Sequence, residues 1–598
     1  MAIPNRNEVP EELKWDLTRI FKNDEEWEQA YAAAQEKIDQ LGELKGTLAK
    51  SGKDLYEGLT KILAVKREVE NIYVYATMSS DVDTANSHYL GYVSRVQSLA
   101  NQFEAATSFI NPEILSIPSD KLAEFKQAEP RLKNYAHYLE MITNKRPHTL
   151  PAEQEKLIAD AGDALGVSEN TFNVLTNSDM EYGYVQDDDG NMEQLSDGLY
   201  SLLIQSQNRD VRKGAFDTLY ATYSQFQNSL ASTLSGVVKK HNYNAKAHKY
   251  DSARQAALAE NGVPEAVYDT LIQEVDSHLD LLHRYVALRK KILGLKDLQM
   301  WDMYVPLTGK PSLSYNFEEA KEVAKKALKP LGEDYLKHVD YIFNNRVIDP
   351  IESKNKVTGA YSGGAYDTDP YELLNWEDNI DSLYTLVHET GHSVHSWYTR
   401  NTQPYVYGDY PIFVAEIAST TNENILTEYF LDHITDPKTR AFILNYYLDS
   451  FKGTLFRQTQ FAVFEQFLHE ADANGEPLTA DTLDDVYGQI NQHYYGDSVE
   501  PGGDIALEWS RIPHFYYNFY VYQYATGFAA ATALANKVVH GTPAERDAYL
   551  GFLKAGSSDY PTEIMKRAGV DMTKPDYLED AFKTFEKRLN EFESLIEK

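Results

Sequence analysis

The sequence predicts a mainly α-helical protein organised in two lobes, with one small β element placed directly before its most distinctive helix. Apolar residues recur at three- and four-residue intervals over most of the chain, the spacing of helix faces turned to a core. Strand signals are confined to two short stretches, residues 181–193 and 359–376. The chain has 598 residues, more than one hydrophobic core sustains, so separate lobes and a cleft suited to a ligand are expected.

Composition narrows the function classes. Hydrophobic residues make up 42% and charged residues 25% of the chain, values of an ordinary globular protein. A net charge of −34 repels phosphate backbones and anionic membranes and offers no basic patch for counterion release, so neither nucleic acid nor membrane is expected as a partner. Cysteine is absent, which excludes disulfides, thiolate ligands and a cysteine nucleophile, so any zinc site must use His, Asp or Glu. Residues 1–10 lack a basic segment followed by an apolar core, and no apolar run reaches the roughly 18 residues of a membrane span, so a cytoplasmic protein is expected. The 43 tyrosines are read mainly as core and interface packing.

Over residues 11–145, the groups Trp15, Leu17, Ile20 and Phe21, then Trp27, Tyr31, Ile38 and Leu41, then Leu55, Leu59, Ile62 and Leu63 mark successive apolar faces separated by polar turns. They predict antiparallel helices without chemistry. Asp189-Gly190 between short flanks predicts a surface hairpin with a type I′ turn. Its consecutive aspartates lack the alternating spacing of a calcium loop. Helices resume near Ser196 and run to His248, and another helical stretch covers 265–293. The lobe boundary is placed in this region, giving an N-terminal helical lobe over 1–200 and a catalytic region over 201–598. In 359–376 the paired Gly363 and Gly364 let a backbone approach closely, and the following Tyr and Leu residues read as a short strand. Its edge could offer main-chain hydrogen bonds to an extended peptide, or it could be a purely structural hairpin.

The chain is organised around 382–398. Leu383, Leu386, Val387, Val394, Trp397 and Tyr398 predict an amphipathic helix in which Gly391 alone is unfavourable. His388 and His392 then lie one turn apart on one face, so their imidazoles can converge on a cation, while Glu389 points beside them at its open position. This is the H-E-x-x-H arrangement of zinc hydrolases. With 16 His and 91 acidic residues in the chain, chance produces it roughly 0.07 times per chain. The bland alternative is a surface helix with several histidines, so a third ligand must decide. His395 shares the face but lies about 10 Å along the axis from His388, too far to share one ion. In the helix after Pro411, Glu416 is flanked by Val414 and Ile417, an unfavourable setting for a carboxylate unless it is paired or bound to metal. The small Ala415, Ala418 and Ser419 would let this helix lie close to the first. Glu423, two turns on, shares the face of Glu416. It could accept a hydrogen bond from a ligand histidine's other nitrogen, or face solvent. Glu416 is the favoured third ligand.

His388-Glu-Thr-Gly-His392 followed by Phe413-Val-Ala-Glu416-Ile-Ala-Ser-Thr-Thr-Asn-Glu423 resembles the thimet-oligopeptidase-type zinc metallopeptidases, and 359–376 resembles their oligoendopeptidase F branch. The likeness runs from Trp15-Asp16-Leu17 to near the C-terminus. It implies a two-lobed helical body of zincin type enclosing a deep substrate channel, with one Zn²⁺ per chain at its floor, that cleaves short peptides. A further group lies in 501–527. After Pro501, aromatic residues at helical spacing predict a helix in which His514, Tyr517 and Tyr524 share one face. In the resembled family a histidine and tyrosines of this region reach the substrate and the oxyanion. Carried over, that points to His514, Tyr517 and Tyr524, with Tyr520 able to replace either tyrosine and an aromatic core stripe as the alternative.

The expected function is a zinc-dependent endopeptidase of short oligopeptides, with metal ligands His388, His392 and Glu416, general base Glu389, and His514, Tyr517 and Tyr524 as donors to the developing oxyanion. A zinc carboxypeptidase on a similar scaffold would be distinguished by its need for a free peptide C-terminus. A non-catalytic helical peptide-binding protein is the reading from another class, and Glu389 argues against it, since binding alone needs no base. No G-x-S-x-G, G-x-G-x-x-G or P-loop supports another enzyme class.

Overall fold

The computed structural model describes residues 3–309, 313–500 and 502–596, so Pro501 lies outside the described residues. Helices dominate. Those that matter below are α1 (Asp24–Leu41), α2 (Gly52–Asp81), α3 (Ser87–Thr107), α4 (Arg209–Ala247), α5 (Ile380–Thr402), α6 (Ile412–His433), α7 (Arg457–Ala473), α8 (Tyr522–His540) and α9 (Pro543–Leu553). The strands are short: β1 (Tyr184–Gln186), β2 (Met192–Gln194), β3 (Ile348–Asp349), β4 (Tyr361–Gly363) and β5 (Tyr371–Leu373). Among the described residues no helix is long and apolar enough to cross a membrane.

Two compact units partition the chain, each assembled from three segments. The first takes Met1–Pro147, Leu313–Tyr429 and Leu534–Gly569; the second takes His148–Ser312, Phe430–Ala533 and Val570–Lys598. This differs from the single division expected near residue 200. Periodicity tells which residues face a core but not which distant segment shares it, so a boundary read along the chain misses returns of this kind.

In the first unit, Asn23 and Ser51 start α1 and α2 by accepting hydrogen bonds from the backbone N–H groups of Glu26 and Asp54, satisfying donors that a helix start leaves open. Trp27, Leu41, Leu55, Ile62, Ile72 and Leu99 interlock into one core. The Trp27 ring stacks on Tyr92 at 3.7 Å and donates its indole N–H to the Ile72 carbonyl at 3.0 Å.

The small sheet of this unit has the order β3-β5-β4. β3 runs parallel to β5 with Ile348 opposite Glu372, and β4 runs antiparallel to it with Ser362 opposite Glu372. β4 is therefore an edge strand lying beside α5, where the Ser362 and Ser393 hydroxyls bond at 2.8 Å. The opposite edge is pinned by an ion cluster the sequence did not announce. Asp349 is fully buried and receives the Lys356 ammonium at 2.8 Å and the Arg6 guanidinium at 2.8 Å. Pairing of this kind is what makes a buried carboxylate tolerable. The C-terminal end of α5 is tied to the loop after α9: Thr399 Oγ1 donates to the Leu553 carbonyl at 2.9 Å, and Thr402 Oγ1 and Gln403 Nε2 both donate to Lys554 O at 2.8 Å.

The second unit is built on the long α4 and an aromatic core that includes Phe451, Phe456, Phe582 and Phe585. β1 and β2 form the expected hairpin, pairing Tyr184 with Gln194. Its turn is not type I′, which needs positive φ at both central residues. Gly190 has φ 86° while Asp189 does not join it. Instead the Asp187 carboxylate accepts the N–H groups of Asp189 at 2.9 Å and Asn191 at 2.8 Å, and this local capture sets the loop.

Candidate metal centre

α5 begins at Asn379, whose side chain accepts the Ser382 N–H at 2.8 Å. Leu383, Leu386, Val387 and Val394 are completely buried along one stripe. Gly391 is the point of closest approach to α6. A Cβ there would stand 2.6 Å from Ser419 Cα and 3.0 Å from the Ala418 carbonyl oxygen, so the two backbones touch. Asn422 of α6 donates to the Val387 carbonyl at 3.2 Å and to the Tyr335 hydroxyl at 2.9 Å, locking the crossing. The helices thus meet through small residues and one buried amide.

That contact brings the predicted residues together. Glu416 Oε2 lies 3.3 Å from His388 Nε2 and 3.3 Å from His392 Nε2. The two imidazole rings are 4.9 Å apart and inclined at 80°, and the three donor atoms lie within 4.8 Å of one another. Charge-assisted N–H···O contacts settle at about 2.7–2.9 Å, whereas ligands spread tetrahedrally around an ion at about 2.0 Å stand about 3.3 Å apart. The spacing fits the edge of a tetrahedron, and two nitrogens with one carboxylate oxygen form a donor set suited to zinc. Glu416, although it sits in an apolar stretch, keeps 46% of its side chain exposed, which leaves an approach from solvent. Ser419 Oγ donates to its Oε2 at 3.1 Å.

Glu423 is half-buried and pairs with a ligand histidine: His388 Nδ1–H donates to its Oε1 at 2.7 Å. With Nδ1 engaged in this way, Nε2 is the nitrogen left to face Glu416 and an ion. Burial pushes the Glu416 carboxyl upward, but hydrogen bonds from His388 and His392 outweigh it and hold the group far below the usual carboxylate range. Burial likewise disfavours a charged His388, yet Glu416 and Glu423 raise it well above its usual value. The rise at His388 registers the carboxylates gathered around it, a concentration of negative charge that favours a cation.

Glu389 is buried at 7% exposure, and burial pushes its carboxyl above the usual range against the pull of His388 and His392. His395 lies elsewhere, fully buried with its ring stacked on Tyr410 at 3.7 Å. One carboxylate escaped the sequence reading. Glu372 on β5 is fully buried beside α5 and is pushed up to about 8, chiefly by burial, with Glu389 adding to the rise. The signal was its place between Tyr371 and Leu373, in a strand with no exposed position.

The second aromatic group lies in the second unit and is not one helix as expected. His514 sits on the short 3-10 turn Pro513–Tyr516, and Asn518 and Phe519 follow with φ of 47° and 57°. Tyr522 then opens α8. This left-handed break stands between Tyr517 and Tyr524, so they do not share a helical face. Neither break residue is glycine, and Asn518 alone is of a type that adopts this conformation with any frequency, a faint signal. The fold nevertheless gathers the expected side chains: His514 Nε2 lies 3.2 Å from the Tyr524 hydroxyl, and the His514 ring is 5.7 Å from Tyr517 and 6.2 Å from Tyr520. Tyr517 is 48% exposed.

A helical body carrying two histidines one turn apart, with a carboxylate from the next helix closing on both, defines the class of metallopeptidases. The chain matches the model of peptidase family M3 over residues 202–584 and that of oligopeptidase F over 113–182. It is 50% identical to oligopeptidase PepF of Bacillus subtilis, over 100% of this chain and 89% of that protein. The crystal structure of oligoendopeptidase-F from Enterococcus faecium shares 45% identity at a TM-score of 0.75, covering 96% of this chain and 99% of that one. A solved chain from Chlamydophila abortus superposes with a TM-score of 0.92 at 34% identity, over 99% of this chain and 100% of its own. The chain belongs to peptidase family M3, within its oligoendopeptidase F branch, and is a metalloendopeptidase.

Proposed function

We propose that the protein is a zinc-dependent endopeptidase of short oligopeptides in which His388, His392 and Glu416 hold the metal and Glu389 is the general base. The observation that carries this reading is the 3.3 Å approach of Glu416 Oε2 to both histidine Nε2 atoms. Zn²⁺ bound there would supply acidification of a water and polarisation of the scissile carbonyl. Glu389 then accepts the proton of the attacking water and delivers it to the leaving amine nitrogen. Its raised affinity for protons, caused first by burial, suits a group that must take one from water. His514, Tyr517 and Tyr524, with Tyr520 beside them, donate hydrogen bonds to the substrate and to the developing oxyanion, each worth on the order of 3 kcal/mol in the barrier. The edge strand β4 pairs with the extended substrate through main-chain bonds, which ask nothing of side-chain identity.

The test is direct. Incubate the purified protein with a mixed peptide set and an unfolded protein, with and without chelator, and read the cut sites by mass. Internal cuts in short peptides are expected, equally in peptides with amidated C-termini, with none in chelator and recovery on adding zinc. Cleavage that persists in chelator would refute the metal-dependent reading.

Glu423 acts through His388. Glu423→Ala is expected to lower zinc affinity by about 10–100-fold, the usual loss when the hydrogen-bond partner behind a metal-bound histidine is removed. Competition against a chromogenic chelator measures it. An unchanged affinity would mean that the 2.7 Å bond to Nδ1 leaves the metal indifferent.

A further inference from the structure

Asn518 and Phe519 are consecutive residues with φ of 47° and 57°, a conformation that asparagine tolerates but a bulky residue such as phenylalanine avoids, because Cβ crowds the following carbonyl oxygen. Such strain persists only where the surroundings over-determine it. Here they do. Glu465 on α7 is fully buried, and its Oε1 accepts the Phe519 N–H at 2.6 Å. Its other oxygen meets no hydrogen-bond partner among the described residues. The Phe519 ring is sunk in the core, 4.5 Å from His469 one turn further along α7 and 5.7 Å from Tyr268. A carboxyl without a charged partner is an expensive thing to bury, yet this one is aimed at a single backbone N–H in the strained turn. On either side of that turn stand His514 and Tyr517, and Tyr520 and Tyr524.

We propose that Glu465 is a positioning residue: by capturing the Phe519 N–H it holds the 518–519 turn in its left-handed form, and that form makes the rings of His514, Tyr517, Tyr520 and Tyr524 converge. The inference rests on the reading that this group contacts the substrate during turnover. Removal of the acceptor lets the turn relax to ordinary backbone angles and spreads the donors. Burial pushes the Glu465 carboxyl up to about 8, toward the neutral form, and an amide in its place preserves the accepting oxygen.

The test compares Glu465→Met, which keeps the volume and loses the acceptor, with Glu465→Gln, which keeps both. On a short peptide, Glu465→Met is expected to lose about 10–100-fold in kcat, the scale of an ångström-sized misplacement, with zinc content unchanged and the smaller change in KM. Glu465→Gln stays within about threefold of the parent on that scale. Equal kcat for parent and Glu465→Met would overturn the proposal, as would equal losses in both variants. Tyr524→Phe and His514→Ala run alongside: if neither lowers kcat, the substrate-contact reading fails, whereas a loss in these with none in Glu465→Met sinks the latch alone. Should Glu465→Met not fold, hydrogen exchange in the unsubstituted protein decides. A Phe519 amide protected to the degree of the α7 core supports capture, and exchange at loop rates refutes it.

Discussion

Glu389→Gln is expected to keep its metal and lose about 10²–10⁴-fold in kcat, the contribution of a positioned proton acceptor. The substitution is nearly isosteric, and at 7% exposure the side chain is held by its surroundings, so the amide occupies the same place. It can still donate and accept hydrogen bonds but cannot take a proton from water. The three atoms that converge on the metal position belong to His388, His392 and Glu416, so zinc content measured by plasma emission should match the parent. The base assignment fails if a metal-loaded Glu389→Gln protein turns over peptide at the parent rate.

Glu416→Ala is expected to abolish stable zinc binding, and activity with it. Two imidazoles remain, one short of the three protein ligands of a catalytic zinc site, so the loss of affinity should exceed the 10–100-fold expected from removing a partner behind a ligand. Folding should survive. The carboxylate is 46% exposed and sits on a helix, where alanine is the most favourable residue, so thermal unfolding of the metal-free proteins should nearly coincide. Dialysis against buffered zinc followed by metal analysis reads the outcome. Parent-like affinity in Glu416→Ala would place the third ligand elsewhere.

What could be read in the sequence was what helical periodicity controls. His388, Glu389 and His392 are fixed relative to one another by one turn of helix, and Glu416 and Glu423 by two, so the face each shares follows from counting. Their meeting across two helices was signalled by small residues: Gly391 and Ser419 are where the backbones touch. The aromatic group was legible in content but not in form, because the break at Asn518 and Phe519 depends on a tertiary hydrogen bond from the Phe519 N–H to a carboxyl more than fifty positions away. The Arg6, Asp349 and Lys356 cluster was invisible for the same reason, since each charge alone reads as solvated surface. The three-segment units were the hardest to see, because nothing local marks a chain that leaves a core and comes back.

That return has a consequence for biosynthesis. α5 reaches its final hydrogen-bonding state only when Thr399, Thr402 and Gln403 meet the carbonyls of Leu553 and Lys554. A ribosome that has just released the histidine motif therefore holds an unfinished body, whose last wall is still well over a hundred codons away. Until it arrives, the C-terminal end of α5 lacks these partners, and chains interrupted in that interval are natural clients for chaperones and quality-control proteases.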